Sequence, residues 1–303
     1  MNQLNSNISE GIIRKKIKNW LLTNPKYNPY NFSLNHSIRY ATNFLRVLPS
    51  VIIIGSSKGG KTSLLSYLNQ HNEVQFGTKN AVGTYFFDGS FDNKNFNWYK
   101  SNFPTKFSGK KIIGEAPGTY LNHPLVPKRI KQLLPNTKFI TIFRNPVERA
   151  YSAYNHAVRF GWENSSFEDV IKDEQRRIKI KRENKKMEIN NPNYTNFLQF
   201  SYLRHGLYAQ NLAPWFELFP KKQFLFLSTD ELKSNPQQII YTIFDFLNLK
   251  SIKIHPIENK NIGAGGGKYE PMKNYTPNLL IDFYRTHNEE LFEIIYKKFN
   301  WNN

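Results

Sequence analysis

VIIIGSSKGGKTSLLSYL, Val51 to Leu68, is the stretch from which the rest of the chain can be read. Val51–Ile54 is a short β-branched apolar run, which suits a buried parallel strand. Small residues follow from Gly55 to Gly60, and Leu64, Leu65 and Leu68 then recur at helical spacing. Strand, glycine loop and helix start together form a cradle for an anion: loop N–H groups and the positive end of the helix face it, and a lysine adds point charge. An ordinary strand-to-helix turn needs one glycine, whereas this one has Gly55, Gly59 and Gly60, with Lys58 and Lys61 between and after them.

Two anions fit the stretch. Read literally, Gly55, Gly60, Lys61 and Thr62 satisfy the spacing of a nucleoside-triphosphatase phosphate loop. Lys58 to Leu64, KGGKTSL, also resembles the 5′-phosphosulfate loop of sulfotransferases, in which the critical lysine comes earlier, here at Lys58. The pattern alone does not separate them.

At 303 residues the chain has room for one large α/β domain or two modest ones. It has no cysteine, so disulfides and thiolate-bound metal are excluded and a reducing compartment is expected. The formal charge of +19 suits a polyanionic partner such as nucleic acid, an acidic glycan or an anionic membrane, or reflects lysine-rich composition alone. Near the N-terminus, Ile12–Leu22 is interrupted by Arg14, Lys15, Lys16 and Lys18, so no secretory apolar core forms. No run reaches the roughly 18 apolar residues of a spanning helix. A soluble, cytoplasmic protein is the expectation.

Residues 1–47 read as a basic N-terminal extension, with a helix within Ser33–Leu48, and 48–303 as the main domain. Asn69–Gly83 reads as loop and Phe96–Phe103 as a short helix. Lys111–Glu115 reads as a strand with Glu115 at its C-terminal end, the edge where open parallel sheets bind ligands. Val126–Leu134 is a helix stopped by Pro135, and Phe139–Phe143 another buried strand. A helix then carries Ala150, Tyr151, Tyr154 and Val158 on one face. Helices are expected over Phe167–Met187, Tyr202–Phe219 and Pro277–Phe299, a strand over Phe224–Leu227, and a short and then a longer helix over Asp230–Leu249. Ile262–Lys268 is a loop with four glycines in seven residues. The alternation predicts an α/β fold: a phosphate-loop-type parallel sheet with helices on both faces.

From Phe143 to Tyr154, FRNPVERAYSAY, the chain resembles the 3′-phosphate motif of the sulfotransferases that use 3′-phosphoadenosine 5′-phosphosulfate (PAPS). The resemblance runs from about Leu48 to the C-terminus and is strongest to the heparan-sulfate-type and bacterial branch. It implies that Arg144 and Ser152 bind the 3′-phosphate, and an arginine fork at a strand end suits that task. Gly114, Glu115, Ala116 and Tyr120 are similar to the family's GEASPSY segment. Arg204 to Tyr208, with Trp215, Phe219 and Pro220, are similar to the helix before its last core strand. Gly266, Gly267 and Lys268, followed by Pro271, resemble a late cofactor loop, with Lys268 where the family has arginine. The implied cofactor set is Lys58, Gly59, Gly60, Lys61, Thr62, Ser63, Arg144, Ser152, Tyr208, Gly267 and Lys268, with PAPS as cofactor and no metal.

Two departures stand out. Lys61 replaces the first threonine of the family's GTT and completes the triphosphatase-like spacing; it would add a second cation near the 5′-phosphate. Phe86, Phe87 and Asp88 match the end of the branch's K-E-x-H-F-F-D segment, but Asn80–Thr84 contains no carboxylate where the catalytic glutamate is expected. Sulfuryl transfer needs charge neutralised on the leaving group, for which Lys58 is suited, and a destination for the acceptor's proton. His156, one helical turn after Ser152, is the first choice, Glu115 the second and Asp88 the third; an amine or acidic phenol would need no strong base. An unperturbed His156 would give a rate rising through about pH 6–7, and packing beside Tyr120 or Trp162 is its alternative role.

The expected activity is sulfuryl transfer from PAPS to a hydroxyl or amine, an anionic glycan being one possible acceptor, with no nucleic-acid partner. Two alternatives stay open: a non-catalytic polyanion- or nucleotide-binding relative, and a phosphate-loop ATPase or kinase. For the latter Asp230 is a poor magnesium ligand, lying just beyond its strand.

Overall fold

The computed structural model describes residues 34–55, 57–77, 83–89, 96–183, 201–257 and 271–302. The late glycine loop, with Gly266, Gly267 and Lys268, lies outside the described residues, as do Asn80–Val82 and the stretch 184–187 at the end of the expected long helix.

Five strands form one parallel sheet: β1 Val51–Ile54, β2 Val74–Phe76, β3 Ile112–Glu115, β4 Lys138–Phe143 and β5 Phe224–Ser228. Their order is β2-β3-β1-β4-β5, and every pairing is parallel. Strand β1 is central, with Val51 opposite both Gly114 and Lys138. That is why all four of its residues are buried and why it reads as a continuous apolar run.

Side chains alternate between two cores, as strand geometry requires. Ile52, Ile54, Phe139 and Phe143 enter one cluster with Trp215, Phe292 and Trp301. Val51, Ile53, Ile140 and Ile142 enter the other with Leu64, Leu68, Ile240 and Phe244. The helices are α1 Leu34–Ala41, α2 Lys61–Leu68, α3 Phe96–Ser101, α4 Val126–Leu133, α5 Pro146–Arg159, α6 Phe167–Glu183, α7 Tyr208–Phe216, α8 Thr229–Ser234, α9 Pro236–Phe246 and α10 Thr276–Ile295. Helices α4 and α7 and the end of α10 cover the first face, and α2 and α9 the second. The start of α10 joins α5 and α6 in a third cluster.

Three expectations are corrected. Strand β2 lies inside the presumed loop Asn69–Gly83; at three residues it is too short for periodicity to reveal. The helix expected from Tyr202 starts only at Tyr208, after a 3₁₀ turn over Arg204–Gly206. Val158 is exposed rather than on the buried face of α5. Within the presumed extension, α1 lies against α3, and Arg39 donates to the carbonyls of Ser101 (2.7 Å) and Phe103 (3.1 Å). No helix among the described residues is long and apolar enough to cross a membrane.

Candidate functional site

All strands point the same way, so their C-terminal ends share one edge. There the chain presents the glycine loop after β1, Glu115 after β3, Arg144 after β4 and Thr229 after β5. This is the ligand edge of an open parallel sheet.

Lys58 adopts φ +67° and Gly60 φ +84°. The left-handed region costs a side-chain-bearing residue about 1–2 kcal/mol, so the loop holds Lys58 in a strained shape. No side chain caps the start of α2. Its first-turn N–H groups, from Lys61, Thr62 and Ser63, are those an anion would take up.

The two lysines diverge. Lys61 is half-buried, with its Nζ turned under the loop to donate to the Gly55 carbonyl at 2.6 Å, closing the loop on itself. Burial, and then the nearby Arg149 cation, lower its pKa to about 7. Lys58 is only partly buried, and its pKa is lowered by burial and then by the charges of Arg159 and Arg144.

The Arg144 guanidinium donates to the Lys58 carbonyl at 3.4 Å and to Glu148 Oε2 at 2.9 and 3.1 Å. The Arg144 backbone is held in turn, since the Tyr208 hydroxyl donates to its carbonyl at 2.7 Å. The Thr229 hydroxyl lies within hydrogen-bond reach of the carbonyls of Gly59 (3.0 Å) and Phe143 (2.9 Å). Loop and strand end, far apart in sequence, are thus tied side by side. Asn145 caps α5 by accepting from the Val147 N–H, and half-buried Ser152 follows in the second turn of that helix.

His156 lies one turn further, half-buried, with its ring against Phe160 (4.7 Å) and Trp162 (5.9 Å). Its pKa is lowered to about 4 by burial, then by the Lys58 and Arg159 charges. The expected titration at pH 6–7 is therefore corrected: burial, reinforced by the Lys58 and Arg159 cations, favours the neutral imidazole below that range.

Glu115 is fully buried. It accepts from the Thr84 N–H (3.0 Å), the Thr84 hydroxyl (2.8 Å) and the hydroxyls of Tyr99 (2.9 Å) and Tyr120 (3.4 Å). Burial raises its pKa against the opposing pull of those bonds. Asp88 accepts from the Thr119 hydroxyl; burial raises its pKa to about 6, opposed by that bond and by the Arg129 charge. The absent glutamate has a steric counterpart: a β-carbon on Gly83 would sit 2.6 Å from Pro117 Cγ. Asp230 receives the indole N–H of Trp301 at 3.4 Å. Among the described residues no group of three or more His, Asp or Glu side chains is placed to hold a metal ion.

Thr229 and Arg159 were not picked out from the sequence. Arg159 falls three residues after His156 and seven after Ser152, so helical spacing could have found it. Thr229 carries no local signal, because its role depends on two distant turns.

A phosphate-type loop braced against a strand-end arginine defines an anion-binding edge on a parallel α/β sheet. The sulfotransferase domain family matches residues 48–259, and the chain belongs to that family. It is 24% identical to the membrane-associated sulfotransferase kil1 of Dictyostelium discoideum, over 86% of this chain and 68% of that protein. It is 29% identical to the mouse heparan sulfate glucosamine 3-O-sulfotransferase 3B1, over 84% of this chain and 65% of that protein. The chain thus spans about two thirds of the length of these relatives. The crystal structure of a sulfotransferase from Alicyclobacillus acidocaldarius shares the fold, with a TM-score of 0.66 at 22% identity, covering 85% of this chain and all of that one.

Proposed function

We propose that this chain moves the sulfuryl group of PAPS to a hydroxyl or amine of an anionic glycan, with residues 48–303 as the catalytic domain. One observation carries the reading. The early-lysine loop and the Arg144 strand end are bonded to each other, through Arg144 to the Lys58 carbonyl and through Thr229 to Gly59 and Phe143. An anion with one phosphate in the loop and a second at Arg144 meets both, and PAPS has that pair of groups.

The residues suit it: the uncapped start of α2, with Thr62 and Ser63, would hold the 5′ end, and Arg144 with Ser152 the 3′-phosphate. When bound, PAPS supplies the activated sulfuryl group. Lys58 provides positive charge where the leaving group's charge develops. Lys61 acts from beneath, holding the loop through Gly55. Tyr208 fixes the Arg144 backbone.

For the acceptor's proton, His156 is favoured. It is half-exposed and close enough to Lys58 to respond to its charge, and it would take the proton at Nδ1 once Arg159, whose Nη2 lies 3.3 Å from that atom, turns to the acceptor. Glu115 has four donors already on its carboxylate and no exposed surface. The acidic glycan follows from the +19 charge and from relatives named for heparan sulfate.

Calorimetry tests the reading directly. Adenosine 3′,5′-bisphosphate is expected to bind far more tightly than ATP or ADP, with or without magnesium. A preference for magnesium–ATP would overturn it.

A further inference from the structure

Helix α5 ends in a glycine cap whose shape exceeds what capping requires. Gly161 adopts φ +67°. Its N–H bonds the Val158 carbonyl, and the Trp162 N–H reaches back to Ala157, each at 2.9 Å. This pair of bonds is the left-handed helix terminator that glycine permits. The reversal folds Trp162 onto Phe160, with ring centroids 5.0 Å apart and planes tilted by 24°.

A cap of this kind needs one apolar contact to the preceding turn, which Trp162 makes with His156. It does not need a second ring stacked on the first, nor a cation over it. Yet the Arg159 guanidinium lies 5.0 Å over the Phe160 ring, and its Nη2 is 3.3 Å from His156 Nδ1. Phe160 and Trp162 keep 37% and 41% of their surface exposed. The same Arg159 is close enough to Lys58 for its charge, after burial, to lower that lysine's pKa. A flat apolar shelf with a cationic rim therefore adjoins the lysine assigned to the leaving group.

We propose, resting on the sulfuryl-transfer reading above, that Phe160 and Trp162 form the acceptor shelf and Arg159 its anion contact. The ligand is one ring of an acidic saccharide chain, its C–H face on the aromatic pair and its carboxylate or sulfate on the guanidinium. The openness of the shelf decides for a polymer. A small phenol is bound by enclosure, in pockets that cover most of its surface, whereas an exposed ledge suits one residue of a chain that continues across the surface. The positive rim adds charge complementarity.

The test uses the full chain, heparan sulfate and 4-nitrophenol as probes, and adenosine 3′,5′-bisphosphate as an independent control. Trp162→Ala and Arg159→Gln are expected to raise KM for heparan sulfate about tenfold; in Trp162→Ala kcat and bisphosphate affinity should stay within twofold of wild type, whereas Arg159→Gln, which removes a charge acting on Lys58 and His156, is read on KM and salt dependence alone. Trp162→Phe should restore most of the loss, and Arg159→Gln should flatten the salt dependence of heparan sulfate binding. The shelf is disproved by an unchanged KM for heparan sulfate in both variants. It is equally disproved by wild-type protein that binds no heparan sulfate, or by a KM loss confined to 4-nitrophenol. Wild-type protein that fails to bind adenosine 3′,5′-bisphosphate would instead remove the sulfuryl-transfer reading itself.

Discussion

At the end of β3 the Glu115 carboxylate is wrapped by Thr84, Tyr99 and Tyr120, every donor turned inward. Across β1, at the glycine loop and along α5, Lys58, Arg144, Arg159 and His156 crowd one another, and Glu148 pairs with Arg144. The first cluster satisfies its charge from within the fold. The second brings positive charges close enough to lower one another's pKa, the kind of field that attracts an anion. A buried carboxylate with four hydrogen-bond donors organises one part of the sheet edge, and a crowded set of basic groups occupies the other.

Substitutions can break this contrast. The largest effect is expected within the cationic cluster: His156→Ala should lower turnover about 10²–10⁴-fold with little change in cofactor affinity. The pH profile sharpens the assignment. The imidazole must be neutral to accept a proton, and its pKa is lowered to about 4. The rate attributable to it, read as kcat/KM, should therefore rise through about pH 4 and be level from pH 6 to 8. A break at pH 6–7 would mean that His156 titrates as an unperturbed imidazole, and full activity in His156→Ala with collapse in Glu115→Gln would move the proton to the other cluster.

Next, Lys58→Ala should cost about 10²–10³-fold in turnover, the usual loss on removing a donor that acts on developing charge. Arg144→Ala should weaken adenosine 3′,5′-bisphosphate binding by about 2–4 kcal/mol in calorimetry, as a lost charge-assisted phosphate contact does. Normal binding by that variant would separate Arg144 from the 3′-phosphate.

The smallest effect belongs to the loop backbone. Gly60→Ala should destabilise the fold by about 1–2 kcal/mol in denaturant titration, because φ +84° suits only glycine well and the new β-carbon would stand 3.2 Å from Thr229 Cγ2. If stability is unchanged, the loop is not held in this shape.

The sequence revealed the cationic cluster better than the acidic one. Lys58, Arg144, Ser152 and His156 lie in two local motifs whose spacing carries their meaning. Burial of the four β1 residues was equally legible, because a central parallel strand is apolar on both faces. The shell of Glu115 was not, since Thr84, Tyr99 and Tyr120 reach it from three separate segments. Nor was the divergence of the two lysines. Lys61 satisfies a phosphate-loop spacing in the sequence, yet its ammonium is turned to Gly55. Strand β2, with three residues, is below the length at which alternation can be read.

The Thr229 hydroxyl, in reach of Gly59 on one side and Phe143 on the other, acts as the pivot of a caliper. Its jaws are the loop after β1 and the arginine after β4, and the opening is fixed before any ligand arrives. Under the proposed PAPS reading, a nucleotide would be gauged by the span between its two anionic ends more than by its base. A ligand with a single phosphate group reaches only one jaw, however well that jaw holds it.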